Sequence, residues 1–346
     1  MQVSSLREKD KQVLNLIIES YLKIGKPISS GLITQKIPFP VSPATVRNIM
    51  NKLEQHGYLF QPHTSAGRIP TDKGLRLYVN SLFEEAVVPG RKVELPENFS
   101  LDRSDFNVLL NQVSGILAEH SDNLGFVLSP RISRIDFRHI RFIKVSEFKV
   151  MIILITTSNF VLNEFFQTNI YFTQLELEKA SQYINQNFRG KNLSFVRNYL
   201  FQELPKFKVR YESLIDRLID FLKSYITQEE NESQIFLQGT PKLLEKHDLF
   251  DMKKLKALFQ NFEEKAKLAK LLSDFISLER VKVLIGSESN IPDISDCSLI
   301  LSHYGYQSQI LGSLGIIGPK RIPYKKIIPL VDSVANRLSQ AISNKQ

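Results

Sequence analysis

The sequence predicts an α+β chain of more than one unit, and three stretches carry that prediction. Residues 42–71 read SPATVRNIMNKLEQHGYLFQPHTSAGRIPT, a short amphipathic helix and then a hairpin. Residues 137–167 hold three runs rich in Ile, Val and Phe with short polar breaks between them, the pattern of a meander. The last third alternates helical spacing with apolar runs of strand length. At 346 residues the chain has length for two or three domains with sizeable cores.

Taken in order, Val13, Leu14, Ile17, Ile18, Tyr21 and Leu22 recur at helical spacing between Leu6 and Ile24, and Gly25 ends that helix. Pro27-Ile28-Ser29-Ser30 opens a second, short helix with Leu32, Ile33 and Ile37 inward, stopped by Pro38 and Pro40. Ser42 then caps a third helix, with Pro43 where a missing N–H costs nothing. Its inner side carries Val46, Ile49, Met50 and Leu53. Its outer side carries Ala44, Arg47, Asn48, Asn51, Lys52 and Gln55, and Glu54 is the only carboxylate between Ser42 and Thr71. Gly57 stops it. Tyr58 to Gln61 and Arg68 to Thr71 flank a small polar tip as a hairpin. Helix, helix, turn, helix, hairpin is the order of a winged helix-turn-helix, whose third helix enters the major groove while the wing lies on the backbone. A further helix follows from Thr71, with Leu75, Tyr78, Val79, Leu82 and Phe83 apolar.

Residues 87–100, with two prolines, a glycine and no period, read as a linker after an N-terminal unit at 1–86. Next come a helix with Phe106, Leu109, Leu110, Val113 and Leu117 on one face, and a strand at 124–128. The meander strands fall at 137–145, 149–156 and 160–167. Residues 174–227 are expected to be helical. Their best stripe is Tyr211, Leu214, Ile215, Leu218, Ile219, Leu222 and Tyr225. Such a stripe either closes a core, the commoner case, or pairs with a second copy. Pairing through Tyr211, Leu214, Leu218 and Leu222 is the expectation here, because a DNA reader with one short helix usually works as a two-fold dimer. A long helical stretch at 252–276, strands at 281–285, 299–303 and 309–317, and a helix through Leu330, Val331, Val334 and Leu338 complete the chain.

Charge is distributed unevenly. The net charge is +9, and residues 1–80 hold 11 Lys and Arg against 5 Asp and Glu, a local +6. A local excess supports polyanion binding better than a high overall isoelectric point does. Arg and Asn reach guanine and adenine edges through paired hydrogen bonds, while Lys favours phosphates. The candidate DNA contacts are therefore Thr45, Arg47, Asn48, Asn51 and Lys52 on the helix and His63, Thr64, Ser65 and Arg68 on the hairpin. The competing reading is a solvated helix face and ordinary turn residues.

Catalytic signatures are missing. The six histidines are scattered without a ligand spacing, so no metal site is expected. Gly312, Gly315 and Gly318 lie on a strand ending in Pro319 and open no helix, which fails the dinucleotide pattern. No phosphate-binding loop or nucleophile elbow occurs, and no cofactor is expected. Cys297 stands alone, which excludes an intramolecular disulfide and fits a reducing cytosol. Met1 to Asp10 is polar and the longest apolar run, Val150 to Ile155, is too short to span a bilayer. A cytoplasmic protein with no membrane partner is the expectation.

Three strings together resemble the HrcA family, the heat-inducible transcription repressors of bacteria. They are residues 42–79 with the wing Pro-His-Thr-Ser-Ala-Gly-Arg-Ile-Pro-Thr, VKVLIGSES at 281–289, and GSLGIIGPKRIPYKKII at 312–328. One departure is visible: Lys320-Arg321-Ile322 stand where the family usually has Thr-Arg-Met. The resemblance implies an N-terminal winged helix and a GAF-like domain in two parts, 101–135 and 231–346, interrupted by a dimerisation domain at 136–230. It also implies repression of chaperone operons through an inverted-repeat operator called CIRCE, help from the GroE chaperonin, and release on heat stress. The alternative is a winged-helix regulator whose GAF-like domain holds a small molecule.

Overall fold

The computed structural model describes residues 6–63, 66–84, 106–130, 135–157, 161–203, 209–231, 235–245, 280–289, 295–306 and 309–343. The linker expected at 87–100 and the helix expected at 252–276 lie outside them.

The N-terminal unit is three helices and a hairpin. Helix α1 (Glu8–Ile24) ends where Gly25, at φ 75, returns its N–H to the Tyr21 carbonyl. Helix α2 (Ser30–Thr34) is capped by Ser29. Helix α3 (Pro43–Gln55) is capped by Ser42, whose hydroxyl accepts the Thr45 N–H. Strands β1 (Leu59–Phe60) and β2 (Ile69–Pro70) pair antiparallel. The pairing adds a rung that the sequence did not suggest: Ile28 exchanges both backbone hydrogen bonds with Arg68, each at 2.9 Å. Gly67 permits it, because a Cβ there would strike the Ile28 backbone. Helix α4 (Asp72–Glu84) follows at once.

Helix α5 (Phe106–Ser121) leads into β3 (Leu124–Leu128). The chain then builds an antiparallel meander, β4 (Phe137–Ser146), β5 (Lys149–Thr156) and β6 (Val161–Gln167). Along β5 buried and half-buried residues alternate, the period-2 signature of a sheet with one face in a core. Helices α6 (Gln174–Phe188), α7 (Leu193–Glu203) and α8 (Val209–Asn231) complete this middle unit. A capping box at Thr173 and Glu176 starts α6. The α8 stripe turns inward. Leu214, Leu218 and Leu222 are buried, with Tyr211 packed beside them, in a core shared with Phe137, Ile152, Ile184 and Val196. The expected pairing through this stripe is thus corrected for Leu214, Leu218 and Leu222, which close the unit's own core, while Tyr211 is half-buried at its edge.

The chain returns through β7 (Ile235–Gln238), a strand absent from the sequence reading, and the short helix α9 (Thr240–Leu244). Strands β8 (Val281–Ile285), β9 (Cys297–Tyr306) and β10 (Gln309–Pro319) finish a five-stranded antiparallel sheet of order β7-β3-β10-β9-β8. Helix α10 (Tyr324–Ser343) packs beside α5 on it. Leu128 and Ile235 stand opposite each other on β3 and β7, so the polypeptide leaves the sheet and re-enters at one rung. One apolar cluster runs from α1 to α4 into this sheet and α10, while the middle unit keeps its own.

Candidate nucleic-acid interface

Helix α3 buries Val46, Met50 and Leu53 and half-buries Ile49, as its period requires. That leaves Thr45, Arg47, Asn48 and Asn51 exposed and Lys52 half-buried. Thr45 shares a 3.0 Å hydroxyl contact with Ser42 at the helix start. The side chains of Arg47 and Asn48 make no hydrogen bond or ion pair among the described residues. An exposed guanidinium and amide one residue apart, on a helix whose far side is bolted into a core, are free to meet an external partner.

The other candidates are engaged within the protein. The Lys52 ammonium lies 2.6 Å from Asp10 Oδ2, and the Asp10 side chain is only 8% exposed. Arg68 donates from Nε to Glu54 Oε2 at 2.9 Å and from Nη2 to Asn51 Oδ1 at 3.0 Å, with its side chain 14% exposed. Arg68 therefore ties the hairpin to α3, rather than standing clear at the hairpin edge. Sequence reasoning missed Asp10 and Glu54 as partners. The one available signal was that they are two of the five acids in a basic segment.

At the hairpin tip, His63 is exposed, and its carbonyl accepts the Ala66 N–H at 2.8 Å. Gln61 donates to the Ala66 carbonyl at 3.0 Å. Thr64 and Ser65 lie outside the described residues. The exit of α3 is braced from α4: Lys73 donates to the His56 carbonyl at 2.8 Å, and its ammonium sits 4.5 Å from the Tyr58 ring centroid. Thr71 donates to the Gly57 carbonyl at 2.7 Å and accepts the Gly74 N–H at 3.2 Å. The helix, the hairpin and the start of α4 thus form one hydrogen-bonded body.

No group of His, Cys, Asp and Glu with metal-ligand geometry occurs among the described residues. A cavity of about 620 Å³ lies between α4 and β8, lined by Arg76, Asn80, Phe83, Arg280, Lys282 and Glu288 among others. No helix among the described residues is long and apolar enough to cross a membrane.

Scaffold and surface together define a class: mixed α/β proteins whose N-terminal unit carries a capped helix with one exposed polar side, braced by a hairpin. The family description "HrcA protein C terminal domain" matches residues 107–328. A heat-inducible transcription repressor of Geobacter sulfurreducens is 35% identical, covering 99% of this chain and all of its own length. Repressors of the same name from Xylella fastidiosa and Syntrophobacter fumaroxidans are 34% and 31% identical, each over 98% of this chain. A crystal structure of a hypothetical protein, 22% identical, shares the fold with a TM-score of 0.61 over 99% of the chain. This chain belongs to the HrcA family of heat-inducible transcription repressors. The relatives named here are repressors, not enzymes.

Proposed function

We propose that the protein silences heat-shock chaperone operons by binding an inverted-repeat operator of the CIRCE type as a homodimer. In this reading the N-terminal unit is a winged helix-turn-helix. Arg47 and Asn48 read base edges in the major groove, Thr45 meets the backbone, and the β1–β2 wing lies beside it. The carrying observation is that Arg47 and Asn48 stand exposed and unengaged on a rigid, capped helix. Lys52, Asn51 and Arg68 are assigned instead to holding that helix and wing in register. Footprinting of the purified protein on chaperone promoters tests the proposal, and protection that ignores inverted repeats would overturn it.

The five-stranded sheet with α5 and α10 is read as the GAF-like domain, at 101–135 and 231–346, and residues 136–230 as its insert. Support comes from the separate core of the middle unit and from the opposed Leu128 and Ile235 at its root. Dimerisation is assigned to the insert's exposed aromatics. Phe195 and Tyr199 stack on α7 with ring centroids 6.0 Å apart. Tyr183 of α6 adjoins them: burial first, then the nearby Tyr199 and Glu203, raise its phenol above the ordinary value. Neighbouring exposed aromatics of this kind support an association site.

Release on heating and support by the GroE chaperonin belong to the same proposal, and the heat-inducible repressors among the relatives support the first of them. Repression that persists after chaperonin depletion would remove the second. A cytoplasmic location suits a DNA-directed role. The cavity between α4 and β8 favours a second reading, a small-molecule input at the seam between two units, where ligand sites concentrate. A thermal-shift screen with metabolites would reveal it.

A further inference from the structure

The DNA-reading unit and the five-stranded sheet share one apolar cluster and are joined besides by half-buried charge pairs. Arg76 of α4 donates from Nε to Glu288 Oε1 at 2.8 Å, and its Nη2 meets both Glu288 Oε2 and the Val283 carbonyl, the latter at 2.6 Å. Glu288 is itself oriented, because Oε2 accepts the Ile285 N–H at 2.9 Å. One turn back along α4, Asp72 receives the Lys320 ammonium at 2.8 Å. Neither pair is close in sequence: Glu288 lies 212 residues beyond Arg76 and Lys320 lies 248 beyond Asp72. A cavity of about 620 Å³ opens beside Arg76 and Glu288, so at this edge of the shared core the charge pairs, rather than packed apolar side chains, bridge the two units.

Helix α4 is also the element to which the reading surface is fastened. Thr71, Lys73 and Gly74 tie its first turn to the end of α3 and to the hairpin. Whatever holds α4 to β8 therefore holds α3 at a fixed attitude to the sheet.

We infer that Arg76, Glu288, Asp72 and Lys320 are positioning residues, a polar latch that sets the orientation of each reading helix and hence the half-site separation a dimer accepts. The inference rests on the repressor reading. It adds that spacing is read by the α4–β8 seam, in residues that touch no DNA. A dimer gains from its second half-site only when the geometry lets both engage together. Loosening the latch should thus lower affinity for the full repeat while leaving each half-site alone.

The test uses the full-length protein with Glu288→Arg, Arg76→Glu and the exchanged pair, alongside the milder Glu288→Gln. Titrations use a duplex carrying the complete inverted repeat footprinted at a chaperone promoter, variants with its spacer lengthened or shortened, and an isolated half-site. Each single reversal should weaken the full repeat about tenfold and flatten the dependence on spacer length, with half-site affinity within about twofold. The exchanged pair should recover most of the loss, as coupled partners do. Glu288→Gln should move in the same direction by less. A second readout needs no DNA: spin labels at Lys11→Cys and Asn336→Cys, in dimers formed with excess unlabelled chain, give one narrow distance in the parent. The reversals should broaden it and the exchange should narrow it again. Equal losses on full and half sites, or a distance as narrow in the reversals as in the parent, would overturn the latch. If the parent binds neither duplex, the repressor reading fails, while the label distances still decide whether the latch exists.

Discussion

Three cationic side chains on the reading face do three different things, and their surroundings decide which. Arg47 is exposed and unengaged, so Arg47→Ala should leave thermal unfolding unchanged. In gel-shift titrations against single-base operator variants it should cost about 1–3 kcal/mol and relax preference at one position. Lys52 neutralises the buried Asp10 carboxylate. Lys52→Met leaves that carboxylate unpaired and should cost about 1–2 kcal/mol of folding stability, read by denaturant unfolding. Arg68 is spent on Glu54 and Asn51. Arg68→Met should lower the melting temperature and leave the salt slope of DNA binding unaltered, whereas a true phosphate contact would reduce that slope by about 0.9.

At the scale of elements, caps and periods carried most of the information. Ser42 and Pro43 marked the start of α3, and the Val46–Met50–Leu53 spacing marked its buried side. Ser42→Ala should therefore cost about 1 kcal/mol by thermal melting, the usual worth of a capping hydroxyl. The meander was legible because its strands are rich in β-branched and aromatic residues and its breaks are short. Other features escaped for physical reasons. Strand β7 is four residues, too short to show a period. Helix α10 starts at Tyr324 and passes through Pro329, ahead of the Leu330, Val331, Val334 and Leu338 stripe by which the sequence showed it. The side-chain partners were the least legible. Asp10 with Lys52, and Glu288 with Arg76, meet only after the chain has folded, and no local pattern announces them. The α8 stripe posed a choice between core and contact, and its shape alone could not settle which. Its burial against β5 and α7 did.

For the whole molecule, the division into two cores has consequences for assembly. Tyr183, Phe195 and Tyr199 are among the exposed aromatics of the middle unit, whereas the α8 leucines are buried. Phe195→Asp combined with Tyr199→Asp should shift the dimer toward monomer by at least about tenfold in dissociation constant, read by sedimentation. Leu218→Ala should instead unfold the middle unit, with a cost of about 2–5 kcal/mol typical of a truncated core leucine. An unchanged sedimentation profile in the aspartate variant would move the contact elsewhere. Because Leu128 and Ile235 face each other across one rung, the middle unit is attached like a bead on a closed loop. Replacing residues 129–234 with a tight two-residue turn would join β3 to β7 as an ordinary hairpin. On the function proposed above, the product would be a miniature, solitary grip on DNA, stripped of its symmetric counterpart.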